Sequence, residues 1–200
     1  MSKKPLDPAE GLEIVRERMA HRGVKIRYHH ESWWGTLIGK LAYKIFGKAF
    51  PKRNDPTGHD WIIVQTVGNT IWLPSNWEQA SLAVRFEILL HEERHTFQFE
   101  KYGLGSMTFG ILTMGFLYLC CLPVFWTMRA KFEQEAYYQS MRARFLLGDP
   151  ISQSFVEFMQ DTFCSRNYVW MMGPWAKKKV EKWTWRSAVL AQNEAKNGCP

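Results

Sequence analysis

His91-Glu92-Glu93-Arg94-His95 sets two imidazoles four residues apart, with a carboxylate directly after the first. On a helix each residue turns about 100°, so positions four apart lie about 40° from one another and both rings can reach one ion. Glu92 is turned about 100° from His91, poorly placed as a third ligand and well placed to take a proton from water on the open side of that ion. Zn²⁺ suits such a donor set; it lowers the pKa of water towards about 7 and polarises a carbonyl oxygen. Catalytic zinc usually takes three protein ligands, so a further one must come from downstream. Phe132-Glu133-Gln134-Glu135-Ala136-Tyr137 offers two carboxylates. Residues two apart on a helix point to opposite faces, so only one of Glu133 and Glu135 can face the ion.

Together these segments resemble the gluzincin metallopeptidases, in which HExxH is followed by a second helix carrying Glu-x-x-Ala, as in the Ste24-like membrane proteases and the soluble minigluzincins. The resemblance spans roughly residues 60 to 147. It implies Glu133 as the third ligand, with Glu135 as the alternative, and Ala136 as the small residue that lets the two helices approach. Gln98 extends the motif to His-x-x-x-His-x-x-Gln, similar to small metallopeptidases of bacteria and phages. Tyr137 stands where Ste24-like proteases carry Asp, so the supporting carboxylate of that family is missing or moved. Gln98, Ala136 and Tyr137 are therefore expected as neighbours that support the ligands. Tyr168 is a candidate oxyanion donor of the kind many zincins use, with a buried aromatic as the plainer account.

The activity this implies is zinc-dependent hydrolysis of a peptide or protein, with Glu92 as general base. The competing expectation is a zincin scaffold kept without turnover, as a structural or interaction protein that is membrane-associated or virion-borne. No nucleic-acid motif accompanies the basic charge, so no specific nucleic-acid partner is expected.

The elements that must position these residues are legible in outline. Leu12, Val15 and Met19 follow helical spacing over Pro8 to His21, ended by Gly23. Val24, Ile26 and Tyr28 alternate with Lys25 and Arg27 as in a half-buried strand. A stretch rich in Trp, Gly and Lys, from Ser32 to Pro56, reads as an insertion. Residues 61–66 and 70–73 are β-rich runs joined by Val-Gly-Asn, a hairpin signal, and Pro74 stops the second. The resembled families keep their motif next to such a hairpin, whose edge strand can pair with an extended substrate. Ser75 and Glu78 have capping-box spacing, predicting a helix from there to about Lys101. Further helices are expected over Arg129 to Leu147, over Ser152 to Phe163 and after Pro174. The fold class expected is α+β: a zincin-like core with a small hairpin-containing sheet, an HExxH helix, a Glu-bearing helix and an inserted apolar helical hairpin.

Two hundred residues, 46% of them hydrophobic, suffice for one domain over 1–200. The formal charge of +7 favours acidic partners, including a membrane surface, without selecting one. Cys120, Cys121, Cys164 and Cys199 form no CxxC pair, so neither a disulfide framework nor a thiolate zinc site is expected. The charged N-terminus is not followed by an apolar core with a cleavage site, so no secretory signal peptide is expected and the chain reads as cytoplasmic or peripheral to a membrane. His29 and His30 alternate across a strand end and cannot both face one ion, and His59 with Asp60 reads as a turn.

Residues 102–128 carry no charge and are long enough for a membrane span. A single crossing of about 30 Å would part His95 from the downstream carboxylates, so crossing and site exclude each other. Gly103, Gly105, Gly110, Gly115 and Pro123 favour an apolar hairpin that returns to its starting side. The Trp-rich flanks Trp33, Trp34, Trp175, Trp183 and Trp185, beside Lys and Arg, suit either a membrane interface or a helix closing the core.

Overall fold

The computed structural model describes residues 4–31, 33, 64–104, 106, 108–113, 127–164 and 176–197. They form a mixed α+β fold, mostly helical, in the order α1 (Pro8–His21), β1 (Lys25–Tyr28), β2 (Gln65–Val67), β3 (Thr70–Leu73), α2 (Leu82–Tyr102), α3 (Thr127–Leu146), α4 (Gln153–Cys164) and α5 (Lys177–Asn197). Helix α1 has the bounds its apolar spacing predicts. Asp7 caps it by accepting the Ala9 N–H at 3.0 Å, Pro8 occupies the first turn, and Leu12, Val15 and Met19 are buried.

The three strands lie in the order β1-β3-β2. β2 and β3 make the expected hairpin, with Thr66 opposite Ile71, across a two-residue Gly68-Asn69 turn in which Gly68 takes φ +63°. β1 pairs parallel to β3, Ile26 beside Ile71. Directly opposed residues of an antiparallel pair share a face, so Thr66 points the same way as buried Ile71, towards the helices.

The expected helix start at Ser75 is corrected. The chain makes one tight 3-10 turn at Trp77–Gln79, breaks at extended Ala80, and begins α2 only after Ser81, whose hydroxyl accepts the Val84 N–H at 3.4 Å. Trp77 is buried and anchors that turn, while Glu78 accepts the Tyr28 hydroxyl at 3.0 Å and pairs with Arg85 instead of reaching back to Ser75.

Helix α2 lies at the centre. On one side Phe86 and Leu89 pack with Leu12, Val15 and Met19 of α1 and with Ile71 and Leu73 of the sheet. A second core is built from α3, α4 and α5 around Met141, Phe155, Val156, Met159, Phe163 and Val180. Ala143 of α3 belongs to the first core and Met141 to the second, so α3 is the wall between them and packs along α2. The residues of the candidate site meet on this α2–α3 seam.

The uncharged segment turns as soon as α2 ends. Ser106 N–H donates to the Gly103 carbonyl at 2.8 Å, and a helical stretch at 108–113 comes back against the end of α2. There a side chain on Gly110 would put its Cβ 2.4 Å from the Phe99 carbonyl oxygen, so the approach requires glycine. Residues 114–126, and with them the rest of the expected hairpin, lie outside the described residues. Its two ends belong to α2 and α3, which pack together, as the same-side return requires. Among the described residues no helix is long and apolar enough to cross a membrane.

Candidate metal centre

Helix α2 breaks the rule of apolar residues inside over one stretch: Glu92, Glu93, His95, Thr96 and Gln98 are all buried. Burying polar groups costs unless each finds a partner, and departures from local rules concentrate at functional sites. Glu93 is held by Arg18 of α1 through bonds of 2.8 and 2.5 Å, with Arg22 at 3.8 Å. Thr96 donates to the Glu93 carbonyl at 2.8 Å and accepts from Arg22 at 3.2 Å. These contacts tie α1 to the back of the motif helix.

The front of that helix faces α3. The Nε2 atoms of His91 and His95 stand 3.3 Å apart. Oε2 of Glu133 lies 3.5 Å from the first and 3.8 Å from the second. Among the described residues, His91, His95 and Glu133 form the group that could hold a metal ion. A triangle with these three edges has a circumscribed radius of about 2.1 Å, against zinc–nitrogen and zinc–oxygen bonds of about 2.0–2.2 Å. One ion could therefore touch all three atoms after shifts of a few tenths of an ångström. The donor set fits zinc.

Hydrogen bonds behind the rings aim them. Gln98 Oε1 lies 2.9 Å from His95 Nδ1 and can only accept, so the proton belongs on Nδ1 and the Nε2 lone pair faces the triangle. The same Gln98 donates to the Phe132 carbonyl at 3.1 Å and to Glu135 at 3.2 Å. Arg94 donates to Glu135 at 2.8 Å. Partial burial pushes the Glu135 pKa up, but the bonds from Arg94 and Gln98 outweigh it and hold the carboxyl below its ordinary range. Glu135 is thus turned to the support of His95, while Glu133 turns to the two Nε2 atoms. Ser140 Oγ stands 3.4 Å from His91 Nδ1. Tyr137 sets its ring edge-on to His91 at 4.6 Å between centroids, so an aromatic wall occupies the place of a supporting carboxylate. Ala136 is fully buried in the same helix.

Glu92 is buried, and Thr66 Oγ1 donates to its Oε2 at 2.6 Å. Burial raises its pKa to about 7, with Glu133 adding to the rise, while His95 and the Thr66 bond oppose it. A carboxylate near that value exchanges protons readily at neutral pH.

Comparison with protein-family models, curated proteins and solved structures finds no match. The site's meaning therefore rests on its own chemistry.

Of the residues singled out from the sequence, His91, His95, Glu133, Glu92, Gln98 and Tyr137 share this seam. His29 stacks on Trp72 and His30 on Tyr28, away from any shared ion. Tyr168 lies outside the described residues, as do His59, Asp60, Trp34, Trp175, Cys120, Cys121 and Cys199; Cys164 is a buried free thiol. Sequence reasoning missed Thr66, Ser140 and the Arg94–Glu135 pair. Ser140 had a signal, since it follows Glu133 by seven residues and so shares its helix face. Thr66 had none in its own neighbourhood.

Proposed function

We propose that the chain is a zinc-dependent peptidase with a zincin-like core, in which His91, His95 and Glu133 hold the metal and Glu92 is the general base. The observation that carries this reading is the convergence of two imidazole Nε2 atoms and one carboxylate from different helices into a triangle of zinc size, beside a buried carboxylate with a pKa of about 7. Zinc bound there would supply a Lewis acid for the scissile carbonyl and lower the pKa of water.

The chain's own groups do the rest. Glu92 accepts a proton from the attacking water and returns it to the leaving amine, a cycle that a carboxyl poised near neutrality can run in both directions. Thr66 keeps the Glu92 carboxylate in one rotamer between those transfers. Gln98 holds His95 in the tautomer that presents Nε2, and Tyr137 packs the His91 ring against rotation.

A second reading, a metal-holding scaffold without turnover, draws support from Tyr137. It leaves His91 backed by the long Ser140 contact in place of a carboxylate. The two separate on zinc-loaded protein given an unstructured protein substrate. Cleavage that disappears in Glu92→Gln while zinc stays bound supports the peptidase; zinc-loaded wild type that cleaves nothing supports the scaffold.

A further inference from the structure

Helix α5 presents two chemically different faces. Val180, Thr184, Ser187, Ala188 and Ala191 are buried on one side. At about 100° per residue the opposite arc carries Lys178, Lys182, Trp185 and Val189, with Arg186 and Leu190 beside them. Trp185 is 40% exposed, Val189 57% and Leu190 59%, so this arc offers apolar surface to its surroundings together with its cations.

The charges on that arc have one sign. Lys177 pairs with Asp161 at 3.7 Å, but Lys178, Lys179, Lys182 and Arg186 make no ion pair among the described residues. The acidic residues of α5 are engaged elsewhere: Glu181 accepts from Gln160 at 3.3 Å, and Glu194 meets Arg142 at 3.8 Å and the Tyr138 hydroxyl.

We propose that this arc of α5 docks the protein on an anionic phospholipid surface, with the lysines and Arg186 among the headgroups and Trp185, Val189 and Leu190 at the headgroup–acyl boundary. Charge complementarity selects an anionic partner, and the apolar part selects lipid. A nucleic-acid backbone would engage the cations but leave Val189 and Leu190 facing water, whereas a lipid interface satisfies both and favours Trp. The contact is peripheral and independent of the metal centre, which lies on the α2–α3 seam.

The test is co-sedimentation of the full chain with vesicles of phosphatidylcholine, with and without phosphatidylserine, at low and high salt. Binding should require phosphatidylserine and fall as salt shortens the screening length. Each cation near the surface is worth about a five-fold gain in partitioning, so Lys178→Gln with Lys182→Gln should weaken binding about 25-fold. Val189→Asn with Leu190→Asn changes only exposed side chains; it should weaken vesicle binding several-fold while leaving the unfolding midpoint unchanged. Failure to bind phosphatidylserine vesicles, or binding that neither pair of substitutions reduces, overturns the proposal. So does binding to duplex DNA in place of vesicles that survives the Val189 and Leu190 changes.

Discussion

Replacing Gln98 with Met separates support of the metal from support of the fold. Gln98 is 1% exposed and makes three side-chain contacts, to His95 Nδ1, the Phe132 carbonyl and Glu135. Met fills nearly the same volume, so the change removes hydrogen bonds without opening a large cavity. It leaves the His95 N–H buried without this acceptor and removes the additional bonds to the Phe132 carbonyl and Glu135, so the metal-free protein should lose about 1–3 kcal/mol of stability. It also frees the His95 ring, and loss of such a supporting partner typically weakens metal affinity about 10–100-fold. With zinc at about 100 times the wild-type Kd, binding stabilises the fold by about 2.7 kcal/mol; a Kd raised 10–100-fold cuts that to about 1.4–0.4 kcal/mol. Urea unfolding of both proteins, with zinc and with chelator, reads the two effects independently. A zinc-dependent increment that survives in Gln98→Met would refute the claim that Gln98 orients a ligand, even if the metal-free protein is destabilised as expected.

Three further outcomes follow from the same contacts. Glu133→Gln should abolish tight zinc binding, whereas Glu135→Gln, whose carboxamide oxygen can still accept from Gln98, should weaken it far less; the reverse ranking in a chelator competition would move the ligand role to Glu135. Glu93→Gln removes the carboxylate that Arg18 grips; the pair is buried on the Glu93 side and one-third exposed on the Arg18 side, so a loss of about 2–3 kcal/mol in unfolding free energy is expected, with zinc stoichiometry unchanged. Thr66→Val should lower kcat with little change in KM or zinc content and Thr66→Ser should restore it; equal defects in both variants would mean that the hydroxyl does not act through Glu92.

The pairing of the two imidazoles was legible at residue level because helical spacing is local: His91 and His95 need only one turn of helix to converge. The carboxylate that joins them was not local. Two glutamates lie in the same hexapeptide, and spacing alone left both open; the resemblance to Glu-x-x-Ala helices pointed to Glu133, which is the one whose carboxylate lies beside the two Nε2 atoms. Helix α1 could be bounded to the residue because Asp7, Pro8 and Gly23 punctuate an unbroken apolar stripe. The start of α2 could not, since Ser75 and Glu78 satisfy a capping pattern whose members are drawn off by tertiary partners, Trp77 into the core and Glu78 to Tyr28 and Arg85. Thr66 was invisible for a related reason. Its contact with Glu92 depends on hairpin register and on how the sheet docks against α2, neither of which has a trace in the residues flanking it.

Two imidazoles and the Glu133 carboxylate are proposed to hold one zinc. X-ray absorption at the zinc edge, on protein reconstituted with a single equivalent, addresses it most directly. Only nitrogen and oxygen neighbours are expected, at about 2.0–2.2 Å, two of them with imidazole scattering, with loss of that signature in His91→Ala with His95→Ala. A sulfur neighbour at about 2.3 Å, or a spectrum unchanged by the double substitution, would contradict it.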